Sequence, residues 1–163
     1  MNNTKQVQKL PATEITPENF RQYGQVVYAI EDGDSFTADA AQLVLHQGTP
    51  RFYIMRLHKK GSKFHKITRH VQCTQCLGSL EGKEWLIAVA PPTNLEKPIV
   101  EEIVAFRIPG NCFIKLDVGT WHAGPYFHAE FVDFYNLELA DTNINDHDTF
   151  DLLENNNLEI EII

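Results

Sequence analysis

Apolar and polar residues alternate along most of this chain in short runs that are rich in β-branched and aromatic side chains and bounded by Gly, Pro, Asn or Asp. Alternation of this kind predicts strands, because successive side chains of a strand face opposite sides. Eight runs carry it: Val26–Ile30, Gln42–His46, Arg51–His58, Val71–Leu80, Glu84–Ala90, Glu102–Ile108, Asn111–Leu116 and Ala129–Leu139. Eight short strands in 163 residues predict an all-β sandwich or barrel. A small barrel has an interior about large enough for one small ligand. The pattern also predicts one short N-terminal helix. Thr16-Pro17-Glu18 supplies a hydroxyl cap, a proline at the first helical position and an acid in the first turn, and Gly24 stops the helix after Tyr23. Residues 1–10 are polar and unpatterned and predict a flexible tail, which leaves 11–163 as a single domain. Asp141–Asn157 reads as loop with at most one short helix around Phe150–Leu153, and Leu158-Glu-Ile-Glu-Ile-Ile163 alternates like an edge strand able to pair with a partner subunit.

Composition narrows the class. A hydrophobic share of 43% and a charged share of 22% are those of a soluble globular protein. The longest strongly apolar run, Trp85–Ala90, falls far short of the roughly 20 residues of a bilayer span, and the N-terminus carries no apolar signal segment. Three cysteines, Cys73, Cys76 and Cys112, leave an odd thiol, which predicts a reducing cytoplasm. Cys73 and Cys76 form a C-x-x-C spacing, but no second pair follows and the run reads as strand, so the pair is structural rather than a zinc or redox motif.

Charge changes the picture further. The net charge of -8 argues against nucleic acid and anionic membrane as the main partner. All 14 basic residues lie in residues 1–115, whereas 116–163 hold acids only. Arg51, Arg56, Lys59, Lys60, Lys63, Lys66 and Arg69 fill a window with no acid between Asp39 and Glu81. The window suits either a solvated strand edge or a site for a small anion.

Two histidines sit in a recognisable frame. His70 is followed by four residues, Gln75, six residues and Gly82, and Gly119-Thr-Trp-His122 places a histidine three residues after a glycine. This resembles the two segments of the cupin barrels, G-x5-H-x-H-x3-4-E-x6-G and G-x5-P-x-G-x2-H. Thr68 stands here for the first histidine, Gln75 for the glutamate and Asp117 for the proline. In the cupins three histidines and a glutamate hold a divalent metal. The matching metal candidates here are His70, Gln75 and His122, with His65 as a substitute five residues before His70. Without a metal, two interior imidazoles can serve as general acid and base near neutral pH.

With their neighbours these segments resemble a closer family. Phe20-Arg-Gln-Tyr23-Gly24-Gln-Val26, Arg69-His70, Thr74-Gln75, Trp85-Leu-Ile-Ala-Val-Ala-Pro91, Gly119-Thr-Trp121-His122 and Asp133-Phe134 follow the order and spacing of the ureidoglycolate lyases, also called ureidoglycolate hydrolases, over about residues 12–150. Two departures stand out: the family's Glu-Arg-His-Pro is Thr68-Arg69-His70-Val71, and its double histidine after tryptophan is His122-Ala123. The resemblance implies a cupin-like double-stranded β-helix, a homodimer, and cleavage of ureidoglycolate to glyoxylate and urea in the breakdown of purine-derived allantoin. It assigns proton transfers to His70 and His122 and makes Gln75 a neutral donor to the ureido or carboxylate group. Thr68 would line the same site, and Arg69 or Lys115 would hold the carboxylate, although strand alternation points Arg69 away from the face of His70. Trp85 and Trp121 read as core, and Asp146, His147 and Asp148 as a solvated turn. Alternative functions are a divergent cupin that binds a small anion without catalysis, and a metal-dependent enzyme acting on another small carboxylate.

Overall fold

The computed structural model describes residues 4–163, which form three sheets. The first sheet holds, in order, β3 (Gly24–Tyr28), β10 (Cys112–Leu116), β7 (Gln75–Ser79), β12 (Phe131–Leu139) and β4 (Pro50–His58). The second holds β13 (Asp148–Asp151), β6 (Lys66–Arg69), β11 (Trp121–Tyr126), β8 (Gly82–Ala90), β9 (Val104–Gly110) and β2 (Ala12–Glu14). The third is small: β1 (Gln6–Leu10), β14 (Leu158–Ile162) and β5 (Lys63–Phe64). The all-β class predicted from alternation is present, with the cupin-like form that the resemblance implies.

Alternation also explains the layering. One core, with Phe20, Trp85, Ile87, Phe106, Ile114 and Phe134, joins the inner faces of the first two sheets. A second core, with Ile67, Ala88, Trp121, Leu152 and Ile160, joins the other face of the second sheet to the third. Because β8 is covered on both sides, its residues Trp85–Ala90 read as one apolar run: Trp85, Ile87 and Val89 face one core, Ala88 and Ala90 the other.

Several expectations are corrected. Gln6–Leu10 is not a tail but a strand paired in parallel with β14; residues 1–3 of the predicted tail lie outside the described residues. β14 in turn is the central strand of its sheet rather than an edge, paired along its length with β1 and at Ile160 and Glu161 with β5. Thr16–Tyr23 makes turns rather than a helix. Thr16 and Asn19 do exchange capping bonds of 2.8 and 3.2 Å, but the bonds that follow are separate turns, Phe20 N to Thr16 O and Gly24 N to Phe20 O, and with Gly24 closing the segment too few residues remain to propagate a helix. Gly24 is needed where it is: a Cβ there would stand 1.8 Å from the Lys115 carbonyl oxygen. The two α-helices among the described residues are α1 (Thr142–Asn145) and α2 (Leu152–Asn156), the latter near the predicted Phe150–Leu153 and capped by the Asp151 carboxylate.

Gln42–His46 is loop, tied by Val44 to Thr74 and by Gln42 to the Gln25 side chain. The Val71–Leu80 strand begins only at Gln75, because the N–H groups of Val71 and Gln72 are taken by the Asp146 carboxylate.

The lopsided charge becomes a pairing pattern. The acidic strands lie on the basic ones: Arg56 opposite Asp133, Arg51 opposite Glu138, Lys66 opposite Asp151, Arg69 opposite Asp148 and Lys63 opposite Glu161. Ion pairs close at 2.8 Å for Arg56–Asp133, 3.1 Å for Arg69–Asp148 and 3.9 Å for Lys66–Asp151. Opposite charges facing across strands add little energy each, about 0.2–1 kcal/mol, but they penalise a slipped register. Three of the window's seven cations, Arg56, Lys66 and Arg69, are thus committed to acids on a neighbouring strand. Among the described residues no helix is long and apolar enough to cross a membrane.

Candidate functional site

Between the first two sheets the apolar core gives way to polar side chains at one end. Along β12, Val132 and Phe134 face inward and so, at the same period of two, do Asn136 and Glu138; along β4, Leu57 and Met55 are followed on that face by Tyr53 and Arg51. From the opposite sheet, His122 of β11 pairs with Val89 on one side and Thr68 on the other, so both His122 and Thr68 face the same interior. His70 follows β6 and arrives on the same face, its ring centroid 5.1 Å from that of His122.

Backbone acceptors fix both imidazoles. The Nδ1–H of His70 donates to the Asp146 carbonyl at 2.5 Å, and that of His122 to the Thr120 carbonyl at 3.2 Å. A carbonyl can only accept, so in the neutral rings Nε2 is left with its lone pair. Burial pushes the pKa of His70 down, against the pull of the Asp146 carbonyl. Burial, reinforced by neighbouring His70, pushes His122 down to about 3. Both rings are neutral bases near pH 7. A third imidazole, the exposed His147, lies 5.7 Å from His70 and bonds Thr149, which bonds Thr68.

This has a consequence for stability. An unfolded histidine protonates below about pH 6.5, whereas folded His122 resists until about 3. The unfolded chain therefore binds more protons in that window, and stability falls as pH drops below about 6.5. His122→Gln should lose less melting temperature than the parent protein between pH 7 and pH 5; equal losses would dismiss the argument.

Gln75 faces the histidines' end of the interior from β7, in register with Leu116 on one side and on the side of Glu138 on the other. It is 8% exposed. Its amide donates to Asn136 Oδ1 and Glu138 Oε2, both at 3.1 Å. Asn136 in turn donates to the Tyr53 hydroxyl at 3.0 Å, and that hydroxyl donates to Glu138 at 3.2 Å. Glu138 is 2% exposed, and its charge reaches His70, where it favours the protonated ring. Gln75 Oε1 is buried and has no donor. Gln75 therefore does not offer the free donor that sequence reasoning gave it: its donors are committed, and an acceptor remains.

The nominated cations are elsewhere. Arg69 faces the second core, its guanidinium 4.6 Å over the Trp121 ring and bonded to Asp148 and to the carbonyls of Thr93 and Leu95. Lys115 lies on the outer face of the first sheet, bonded to Asp117. Neither joins the histidines. His65 turns to Asp151 at 3.1 Å and is also apart from them.

The metal candidates thus reduce to two imidazoles and one amide oxygen. Among the described residues no group of three or more His, Cys, Asp and Glu side chains is placed to hold a metal ion. That donor set does not fit the usual protein metal site. The cysteines add nothing to it: all three are free, and burial pushes the thiols of Cys76 and Cys112 up to about 11, away from the thiolate that binds metal.

Sequence reasoning missed Tyr53, Asn136 and Glu138, gave Arg51 only as part of the cationic window, and read Asp146 as a solvated turn. The signal for Asn136 and Glu138 was available: they continue the inward parity of Val132 and Phe134, while outward Tyr135 and Leu137 are apolar, the reverse of a solvated sheet. Asp146 is not part of a solvated turn. It is buried, accepting from Val71 N at 2.7 Å and Gln72 N at 2.9 Å while its carbonyl holds His70. A cavity of about 880 Å³ opens between β3 and the loop over Asp34–Ala41, and none of the nominated side chains lines it.

The model of the family described as ureidoglycolate lyase matches residues 7–159 of the chain. No curated protein matches it.

Proposed function

The chain belongs to the ureidoglycolate lyase family, and from that premise we propose that it cleaves ureidoglycolate to glyoxylate and urea with His70 and His122 as the proton-handling pair. The observation that carries the reading is the pair of neutral imidazoles 5.1 Å apart, each with Nδ1 on a carbonyl and Nε2 left as a base. One ring takes the proton from the substrate hydroxyl. The O–H electrons become the carbonyl of glyoxylate, the carbon–nitrogen bond breaks, and its electron pair leaves with the urea nitrogen. The imidazolium just formed is held acidic by burial and by the ring beside it, so it passes the same proton to that nitrogen directly or through its neighbour. No net proton is consumed. Thr68 lines the pair through its place opposite His122.

Arg51 supplies the cation for the substrate carboxylate. It lies on the inward face in register with Glu138, its guanidinium 3.7 Å over the Tyr53 ring, and it has no carboxylate partner within 4 Å among the described residues. Guanidinium suits this task, since it meets a carboxylate in bidentate fashion. The test is an assay with ureidoglycolate in the presence and absence of chelator. Equimolar urea and glyoxylate, undiminished by chelator, are expected, with Arg51→Gln raising the half-saturating substrate concentration. Ammonia in place of urea, or abolition by chelator, would overturn the reading.

A homodimer in the cytoplasm completes the proposal. Phe52, Ile54 and Tyr135 form an exposed apolar stripe on the outer face of the first sheet, which supports self-association and which sedimentation equilibrium would test. Three unpaired thiols support a reducing compartment.

A further inference from the structure

We infer that Gln75 selects a ligand by its N–H donors, taking the terminal ureido nitrogen on Oε1 and so fixing which end of the substrate enters the barrel first. The inference rests on the proposed substrate class and adds the orientation. It comes from the direction of the hydrogen bonds. Gln75 Nε2 faces two acceptors, Asn136 Oδ1 and Glu138 Oε2, and Asn136 Nδ2 is already committed to the Tyr53 hydroxyl. Turning the Gln75 amide over would set its oxygen against the Asn136 oxygen and the Glu138 carboxylate, so the amide has one stable sense.

In that sense Oε1 is an acceptor without a donor, buried in a side chain only 8% exposed. A buried acceptor left unpaired is costly, and a ligand that brings the missing N–H recovers the cost. Seating it requires the side chains that cover Oε1 to give way by about the width of an amide. A carboxylate cannot take this place, because it has no proton to offer Oε1. The carboxylate end is thereby directed away from Gln75, and the ureido end toward it.

Binding of two unreactive probes tests this without turnover. N-carbamoylglycine is the substrate without its hydroxyl and cannot be cleaved; N-acetylglycine has nearly the same shape with a methyl group in place of the terminal NH2. The parent protein should bind the first about tenfold or more tightly than the second, as expected for a buried acceptor paired or unpaired. Gln75→Met should bring that ratio to about one.

In the parent protein the side-chain carbonyl 13C resonance of Gln75 should move with N-carbamoylglycine and stay with N-acetylglycine, a readout that does not depend on any variant folding. Equal affinity of the parent protein for the two probes, an unmoved resonance, or full preference in Gln75→Met would overturn the inference while leaving the lyase reading intact. Binding of neither probe would overturn both.

Discussion

His70→Ala and His122→Ala should each slow glyoxylate release from ureidoglycolate by about 100- to 10,000-fold, the usual contribution of a positioned acid or base. The loss should fall on kcat, because the imidazoles handle the proton that moves as the bond breaks rather than the groups that hold the substrate. The double variant should be little worse than the poorer single one. Two rings 5.1 Å apart that share one proton act as a unit, and once either is gone the transfer path is broken. Steady-state kinetics on the three variants check this, with melting temperature as a control. Rates unchanged in both single variants would sink the mechanism; multiplicative losses in the double variant would show two independent groups rather than one path.

Asp146→Ala should cost about 3 kcal/mol or more of stability, because two charge-assisted hydrogen bonds at about 1.5–3 kcal/mol each are lost and two part-buried N–H groups lose their acceptor. Those are the N–H groups of Val71 and Gln72, at 2.7 and 2.9 Å, in the segment that carries His70 into the barrel. The same residue's carbonyl orients the His70 ring. Activity should therefore fall along with stability, and Asp146→Asn, which retains one acceptor oxygen, should lie between the parent protein and the alanine variant. Guanidinium unfolding measures the first effect and kcat the second. A midpoint within error of the parent protein would show that the loop holds itself without this carboxylate.

The strands were legible where only one thing decided their faces. β4, β8, β10 and β12 alternate cleanly or are apolar throughout, and both patterns report burial directly. β5, β6 and β13 were hidden because their inward residues are few and their outward ones are charged in order to pair with one another. β1 and β14 were misjudged for a related reason. A polar strand and an alternating one each look dispensable until they are placed side by side, and nothing local in Gln6–Leu10 announces a partner about 150 residues away. His70 and His122 were found through their spacing to Gly82 and Gly119, since the turns at those glycines set the register of the strands they join. What spacing could not supply was the direction of a hydrogen bond. Gln75 was correctly placed inside, yet whether its amide gives or receives is settled by Asn136 and Glu138 more than sixty residues later.

The position of β14 between β1 and β5 bears on how the protein is made. β14 leaves the ribosome after both strands it pairs with, and β1 has no hydrogen-bonding partner until it arrives. The same holds for β12, which fills the place between β7 and β4. A nascent chain can close neither sheet, so β1, β4 and β5 wait as open strands through most of translation. The segment that waits longest at the N-terminal side is polar, and the window from Arg51 to Arg69 is dense in lysine and arginine. Those are the side chains that keep an unpaired strand from joining another chain. The charges that later meet Asp133, Asp148 and Asp151 thus serve first as protection against aggregation, before the acids they pair with have been synthesised.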